Sequence, residues 1–349
     1  MTHSSLFTEA DFHPDTRAFF RDRVVAVTGG SGFVGSHVVE QLLAIGAKPL
    51  VLTRQAHPPF LEPLASSIEI RRCDLNDYQT TRTALQGASV ILNLAALVRG
   101  LEYNAKHSAT IFQTNLQIFF NVIKAAASLK VDRFLTTSSA CVYPRNCTIP
   151  TPEGEGFLDE PEPTNSGYGW AKRMQEYLSI QYAKEFGLSI AIARPFNVYG
   201  PRDNFDPKTS HVIPALILKA FRSTNGILPV WGDGSHSRSF LYVNDCARGL
   251  IEVAARYAQA EPINIGVNEE TPIRKFAEEI AALVSEIRGV PIKAVFDSAG
   301  LTGQPRRRCD TNKIESQLGF RVRIGFSDGL RRTIEWFTAH ENLALSAHL

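Results

Sequence analysis

Tyr168-Gly169-Trp170-Ala171-Lys172 sets a phenol and an ammonium four residues apart at a predicted helix start, hence one turn apart on one face. A tyrosine exchanges protons near neutrality only if its pKa falls from about 10 to near 7, which takes roughly 4 kcal/mol of preference for phenolate. A nearby ammonium such as Lys172 contributes to that preference. Ser139 stands just past a predicted strand, at the edge where open α/β sheets collect ligands. These three side chains define a candidate proton-transfer site.

Gly29, Gly32 and Gly35 form a GxxGxxG run directly after a strand and ahead of a helix. Side chains there would keep backbone N–H groups and the helix N-terminus away from a pyrophosphate, so the run predicts dinucleotide binding, with Phe33 and Val34 in the same helix start. A nicotinamide cation would add to Lys172 in favouring phenolate. The second strand ends Val51-Leu52-Thr53-Arg54, where an acid would accept the ribose 2′-hydroxyl of NAD. Arg54 instead suits a 2′-phosphate, which favours NADP and leaves NAD as the alternative.

The elements that position these residues follow from periodicity. Strands are predicted at 24–28, 49–53, 68–72, 89–94, 133–137 and 189–193. Helices run to about 45, over 78–85, through about 129 in one long piece, and over 168–186. Strands separated by helices give an α/β fold with a Rossmann-type, doubly wound parallel sheet. Past Arg194-Pro195 the rhythm breaks, with helices at about 212–223, 245–257, 273–287 and 330–339, read as a smaller C-terminal α/β substrate domain. The expected organisation is a polar extension at 1–22, a dinucleotide domain at 23–195 to which 241–267 returns, and substrate-binding parts at 196–240 and 268–349.

Composition narrows the partners. The 349 residues are 44% apolar and 21% charged, enough to bury a core and unlike a disordered chain. Net charge is 37 − 35 = +2, so no bulk attraction to nucleic acid or anionic membrane is expected. No apolar run approaches the ~18 residues of a membrane span, and the first 22 residues hold no signal-like block, which points to the cytoplasm. Cys73, Cys141, Cys147, Cys246 and Cys309 are too irregular for a disulfide framework or a zinc site, so reduced thiols are expected.

The glycine run, the Thr137-Ser138-Ser139 strand end and YxxxK, in this order, resemble the extended short-chain dehydrogenase/reductases, the NAD-dependent epimerase/dehydratases of nucleotide sugars. The resemblance covers the chain after residue 22. It implies that Tyr168 is the acid/base for hydride transfer at a sugar carbon, that Lys172 binds the nicotinamide ribose and that Ser139 bonds the reacting oxygen. It also puts Asp74-Leu75 at the adenine and Ala95-Ala96 along the cofactor cleft, and it implies a homodimer formed through helices of the cofactor domain.

Two further stretches are more specific. Ser139-Ala140-Cys141-Val142-Tyr143-Pro144 is similar to the GDP-L-fucose synthase and GDP-mannose 3,5-epimerase branches. Asn197-Val198-Tyr199-Gly200-Pro201-Arg202-Asp203-Asn204-Phe205, followed by Ser210-His211-Val212-Ile213-Pro214, is similar to the synthase. The likeness makes Cys141 the base beside a C4 ketone and His211 the acid on the opposite face. The chemistry agrees: the ketone acidifies the hydrogens at C3 and C5, and thiol and imidazole, with ordinary pKa values near 8.5 and 6.5, are both usable near neutrality. Cys141 lies two residues from Ser139, so an extended backbone would aim both side chains the same way.

Matching segments assign Arg238 and Arg307 to the substrate pyrophosphate and Asn197 to the sugar or phosphate, with Val212 and Lys219 beside them; Arg306 and Arg308 read as solvated. Trp231-Gly232-Asp233-Gly234 resembles the turn near the nucleotide base. Arg202 departs from the synthase pattern, which has His there, and the Thr28-Gly29-Gly30-Ser31-Gly32 loop has the commoner epimerase form. The expected activity is 3,5-epimerisation of a GDP-linked 4-keto sugar, with or without a following NADPH-dependent reduction at C4. The alternatives are an NAD-dependent nucleotide-sugar 4-epimerase or dehydratase and, outside enzymes, a dinucleotide-binding redox sensor.

Overall fold

The structure, a computed structural model, describes residues 6–98, 100–297 and 306–347. In chain order the first half holds α1 (Pro14–Phe20), β1 (Val24–Thr28), α2 (Phe33–Ala44), β2 (Lys48–Thr53), β3 (Glu69–Arg72), α3 (Tyr78–Ala84), β4 (Val90–Asn93), α4 (Leu101–Lys106), α5 (Ser108–Leu129), β5 (Arg133–Thr137), α6 (Ser166–Phe186) and β6 (Ile190–Pro195). The second half holds β7 (Val198–Tyr199), α7 (Val212–Arg222), β8 (Ile227–Trp231), β9 (Ser237–Arg238), β10 (Leu241–Tyr242), α8 (Val243–Arg256) and β11 (Pro262–Ile265). It continues with β12 (Thr271–Pro272), α9 (Ile273–Arg288), β13 (Lys293–Asp297), β14 (Arg306–Arg307), α10 (Asn312–Leu318), α11 (Phe326–Ala339) and α12 (Glu341–Ser346).

Among the described residues the largest sheet has seven strands in the order β11-β6-β5-β4-β1-β2-β3, all parallel. Its central strands carry uninterrupted apolar runs because both faces are covered. One face packs Val25, Val27 and Leu135 against α2 and α8; the other packs Ala26, Ile91 and Phe134 against α5. Strand order reverses beside β1, with β4 on one side and β2 on the other, and that switch point is where such sheets open a crevice. A second core of Leu216, Val230, Phe240, Phe276, Ile334 and Phe337 joins α7, α9 and α11. β11 adds to the edge of the large sheet by pairing with β6, and α8 is buried between α2, α1 and the sheet.

Two sequence readings change. The long helix expected to end near 129 is broken at His107 into α4 and α5, where the Ser108 hydroxyl donates to the Asn104 carbonyl and α4 packs on the turn at Pro163–Asn165. The segment before residue 22, polar by sequence, buries Phe7, Phe12 and Phe20 in the same core as α8. There the buried Glu252 accepts from the His13 N–H at 2.9 Å and the Thr16 hydroxyl at 2.5 Å. Among the described residues no helix is long and apolar enough to cross a membrane.

Candidate active site

The turn from β1 into α2 is built for close backbone approach. Gly29 has φ +68°, and a Cβ on it would stand 2.9 Å from the Ala95 nitrogen; a Cβ on Gly35 would stand 2.1 Å from the Gly29 carbonyl oxygen. Gly32 is different: its Cβ would meet only that oxygen, at 3.3 Å. The loop's own packing therefore demands Gly29 and Gly35, whereas Gly32 leaves open the space in front of the helix. The first bond of the α2 ladder is Ser36 N–H to the Gly32 carbonyl, at 3.0 Å, so the N–H groups of Phe33, Val34 and Gly35 precede the ladder at the positive end of the helix. This cradle fits a dinucleotide pyrophosphate.

The walls follow from neighbouring strands. Thr28 Oγ1 accepts from the Ala95 N–H at 3.2 Å, which seats Ala95-Ala96 past β4 beside the loop. Ser31 and Thr53 share a hydrogen bond of 2.8 Å that ties the loop to the end of β2, next to the exposed Arg54. Beyond β3, Asp74 accepts from the Asn76 backbone, and the buried Leu75 offers its carbonyl to Asn121.

Lys172 is buried, donates to the Thr137 carbonyl at 2.7 Å and to Gln175 at 3.1 Å, and lies 5.5 Å from the centre of the Tyr168 ring. Burial pulls its pKa down to about 8, against the opposing pull of Cys141 and Glu176. Burial also pushes the Tyr168 phenol above its ordinary value, with Cys141 adding to the rise and the Ser139 hydrogen bond opposing it. Among the protein's own groups, desolvation of the phenol outweighs the Ser139 hydrogen bond, and the lowering expected at this tyrosine rests on Lys172 together with a nicotinamide cation.

Beneath this group lies a network the sequence reading missed. Glu176 accepts from Arg194 through both oxygens at 2.8 and 2.7 Å and also from the Ser138 hydroxyl; Arg194 donates in turn to the Tyr143 hydroxyl at 2.9 Å. Both charges are fully buried, so the pair fixes α6, β6 and the segment after β5 in one geometry. The available signal was spacing: Glu176 lies one helical turn beyond Lys172.

The backbone from Ser139 to Cys141 is not extended. Residues 140–142 form a 3₁₀ turn capped by the Ser139 hydroxyl, which accepts the Cys141 N–H at 3.1 Å. Cys141 still faces the site, because its neighbours converge on it. Its Sγ accepts from Asn165 Nδ2 at 3.0 Å, has Arg307 Nη1 at 4.0 Å, and acts electrostatically on Tyr168 and Lys172.

Arg307 and Arg238 lie directly across from each other, because β14 and β9 are parallel and in register. Burial and the Arg307 charge bring Arg238 down to about 10. Two half-buried guanidiniums in that register form a ready anion site. Asn197 donates to the Ser239 carbonyl at 2.9 Å, while the Ser239 N–H donates to the Arg307 carbonyl at 2.9 Å, so Asn197 braces the same pair of strands. Arg306 instead pairs with Glu270, and Arg308 donates to Asn268.

His211 caps α7 beside the exposed Val212, with Nδ1 3.7 Å from the carboxylate of the buried Asp203. Burial favours the neutral ring, but Asp203 prevails and raises the imidazole pKa. The Thr209-Ser210 backbone before it lies so near Gly100, at the head of α4, that a Cβ there would stand 3.2 Å from the Thr209 carbonyl; α4 is the helix whose Asn104 bonds Asn165. Lys219, one face further along α7, sits 4.8 Å from the Trp231 ring centre. Arg202 is tied to Glu40 on α2.

A sequence profile described as the NAD dependent epimerase/dehydratase family matches residues 25–266. A probable GDP-L-fucose synthase of Oryza sativa subsp. japonica is 33% identical over 336 residues, spanning 95% of this chain and 96% of its own. A dTDP-4-dehydro-6-deoxy-D-allose reductase of a Streptomyces species is 30% identical over 325 residues, spanning 91% and 97%. Among solved structures, an epimerase of Methanothermobacter thermautotrophicus superposes with a TM-score of 0.83 at 26% identity, covering 95% of this chain and 98% of its own.

Proposed function

This chain is an enzyme of the NAD dependent epimerase/dehydratase family, and from that premise we propose that it inverts C3 and/or C5 of a GDP-linked 4-keto sugar and reduces C4 with NADPH. The observation that carries this reading is the thiol of Cys141 in the Ser139–Tyr168–Lys172 site, held by Asn165 at 3.0 Å and with Arg307 4.0 Å from its sulfur. A 4-epimerase has no use for a second base there, and a dehydratase calls for acidic residues beside the serine, where this chain has Ala140-Cys141. The redox-sensor alternative falls with membership in a family of enzymes.

The cofactor would lie on the Gly29–Gly35 cradle, with Asp74-Leu75 at the adenine, Ala95-Ala96 along the cleft and Arg54 at the 2′-phosphate that distinguishes NADP. When bound, it supplies the hydride for C4. The chain's own residues do the rest. Arg238 and Arg307 hold the substrate diphosphate, with Asn197, Val212 and Lys219 lining its path. The Cys141 thiolate takes the proton next to the carbonyl, forming S–H as C–H breaks and leaving the electron pair on the substrate as enolate. Protonated His211, favoured by Asp203, returns a proton from the opposite face. Tyr168, held neutral, donates its proton to the C4 oxygen as that oxygen gains charge, while Ser139 orients it. Lys172 fixes the nicotinamide ribose.

The test is deuterium uptake from heavy water at C3 and C5 of GDP-4-keto-6-deoxymannose. Uptake is expected in the parent and lost in Cys141→Ser; uptake unaffected by that substitution removes the base assignment. A second reading, reduction at C4 without inversion, draws on the similarity to the deoxyallose reductase, and it predicts NADPH consumption with no deuterium at either carbon. We further place the protein in a reducing cytoplasm, its five cysteines free, as a homodimer joined through α5 and α6, where Phe120 and Tyr177 are exposed. Sedimentation at the monomer mass would remove the dimer.

A further inference from the structure

Asn165 does more than touch the sulfur of Cys141. Its Nδ2 donates to Sγ at 3.0 Å while its Oδ1 accepts from Asn104 Nδ2 at 2.7 Å, so the two amides form a chain ending at the thiol. Asn104 is buried, and its own Oδ1 has no hydrogen-bond partner among the described residues. Among the described residues nothing at the far end therefore pins the direction of the chain. If both amides turn over, Asn165 Nδ2 donates to Asn104 Oδ1, and Asn165 Oδ1 faces the sulfur as an acceptor. Each direction keeps one hydrogen bond between the amides and one to the sulfur.

The two directions suit opposite charge states. An N–H donor facing the sulfur stabilises thiolate, whereas a carbonyl facing it accepts the S–H of the thiol. We propose that Asn165 and Asn104 are positioning residues that form a reversible amide relay, turning over as Cys141 gains and loses its proton. Arg307, at 4.0 Å, and Lys172 also act on the thiol, but guanidinium and ammonium favour only the thiolate, and the Tyr168 hydroxyl is engaged with Ser139. A base that must accept a proton, hold it and release it needs a partner for both states. The proposal rests on Cys141 being that base, and its test is chosen to separate the two claims.

The experiment is alkylation of Cys141 by iodoacetamide near neutral pH, mapped by mass spectrometry in a Cys147→Ser background; the other cysteines are buried. Asn165→Asp keeps the size but presents only acceptors, and alkylation should slow by about tenfold or more. Asn165→Ala, which removes the donor, should slow it by several-fold and serves if the aspartate variant does not fold. Asn104→Asp does not touch the sulfur, yet it forces Asn165 to donate away from it. It should therefore slow alkylation equally at low and high salt, whereas a through-space charge effect would fade with screening. Parental rates in both Asn165 variants, or an Asn104→Asp effect that salt removes, overturn the relay. Slowed alkylation alongside deuterium exchange that ignores Cys141→Ser upholds the relay and sinks the functional reading alone.

Discussion

At the residue scale, two protonation states are set by burial working against a neighbouring charge. Asp203 raises the His211 pKa against the desolvation of the ring. A raised folded pKa contributes stability fully below the unfolded value near 6.5, and that contribution is lost as pH rises through the folded value. The same shift extends the acid form of His211 toward neutrality. Asp203→Asn should therefore move the alkaline limb of the inversion reaction to lower pH, read as C3 and C5 exchange rate against pH; an unmoved limb leaves Asp203 without a part in proton delivery. Lys172 runs the other way. Its pKa falls from 10.5 to about 8 on burial, so the folded state binds fewer protons between those values and stability rises with pH across that window. The penalty below it is on the order of 3 kcal/mol. Lys172→Met should abolish C4 reduction, and its stability relative to the parent should be better near pH 7 than near pH 10, by urea unfolding at each; a gap independent of pH contradicts the assignment.

At the element scale, the β1–α2 turn separates glycines required by the chain from the one that leaves room for a ligand. A Cβ on Gly35 meets the Gly29 carbonyl at 2.1 Å, which no rotamer relieves, so Gly35→Ala should lower thermal stability by roughly 2 kcal/mol or more. A Cβ on Gly32 is 3.3 Å from the same oxygen and is accommodated by a small shift. Gly32→Ala should melt near the parent temperature yet bind NADPH at least about tenfold more weakly, since it fills the space before the helix N-terminus. Calorimetry and fluorescence titration read the two effects separately. Equal losses in both variants would mean that the loop responds as one packed unit.

At the scale of the whole molecule, the N-terminal segment closes the surface behind α8, across the sheet core from α5. Phe7, Phe12 and Phe20 are buried there, Glu252 receives two hydrogen bonds from the segment, and Asp11 pairs with Arg323 beyond α10. Three phenylalanines at about 2 kcal/mol each place the contribution at several kcal/mol. Deleting residues 1–22 should lower the melting temperature by several degrees while leaving the KM for NADPH unchanged, because the segment's hydrogen bonds to Glu252 and Arg323 lie on α8 and beyond α10, not on the β1–α2 turn. A deletion variant as stable as the parent would make the contact incidental.

Much of this was legible without coordinates. Short β-branched runs ending in glycine, with helical periodicity between them, fix the parallel sheet, because alternation and turn chemistry are local properties. YxxxK and the glycine run carry their geometry in their spacing, so Tyr168, Lys172 and the cradle could be named from residue order alone. What spacing could not convey is partnership across the chain. Ser139 and Cys141 converge through a 3₁₀ turn, not an extended strand, and the thiol is held by Asn165 and Asn104, which have no pattern linking them to it. Asp203 beside His211, and Glu176 beneath Arg194, are likewise set by packing. The surroundings of the Tyr168 phenol belong here too: charge near a group is visible in sequence, but how far water is excluded from that group is decided only when the chain folds around it.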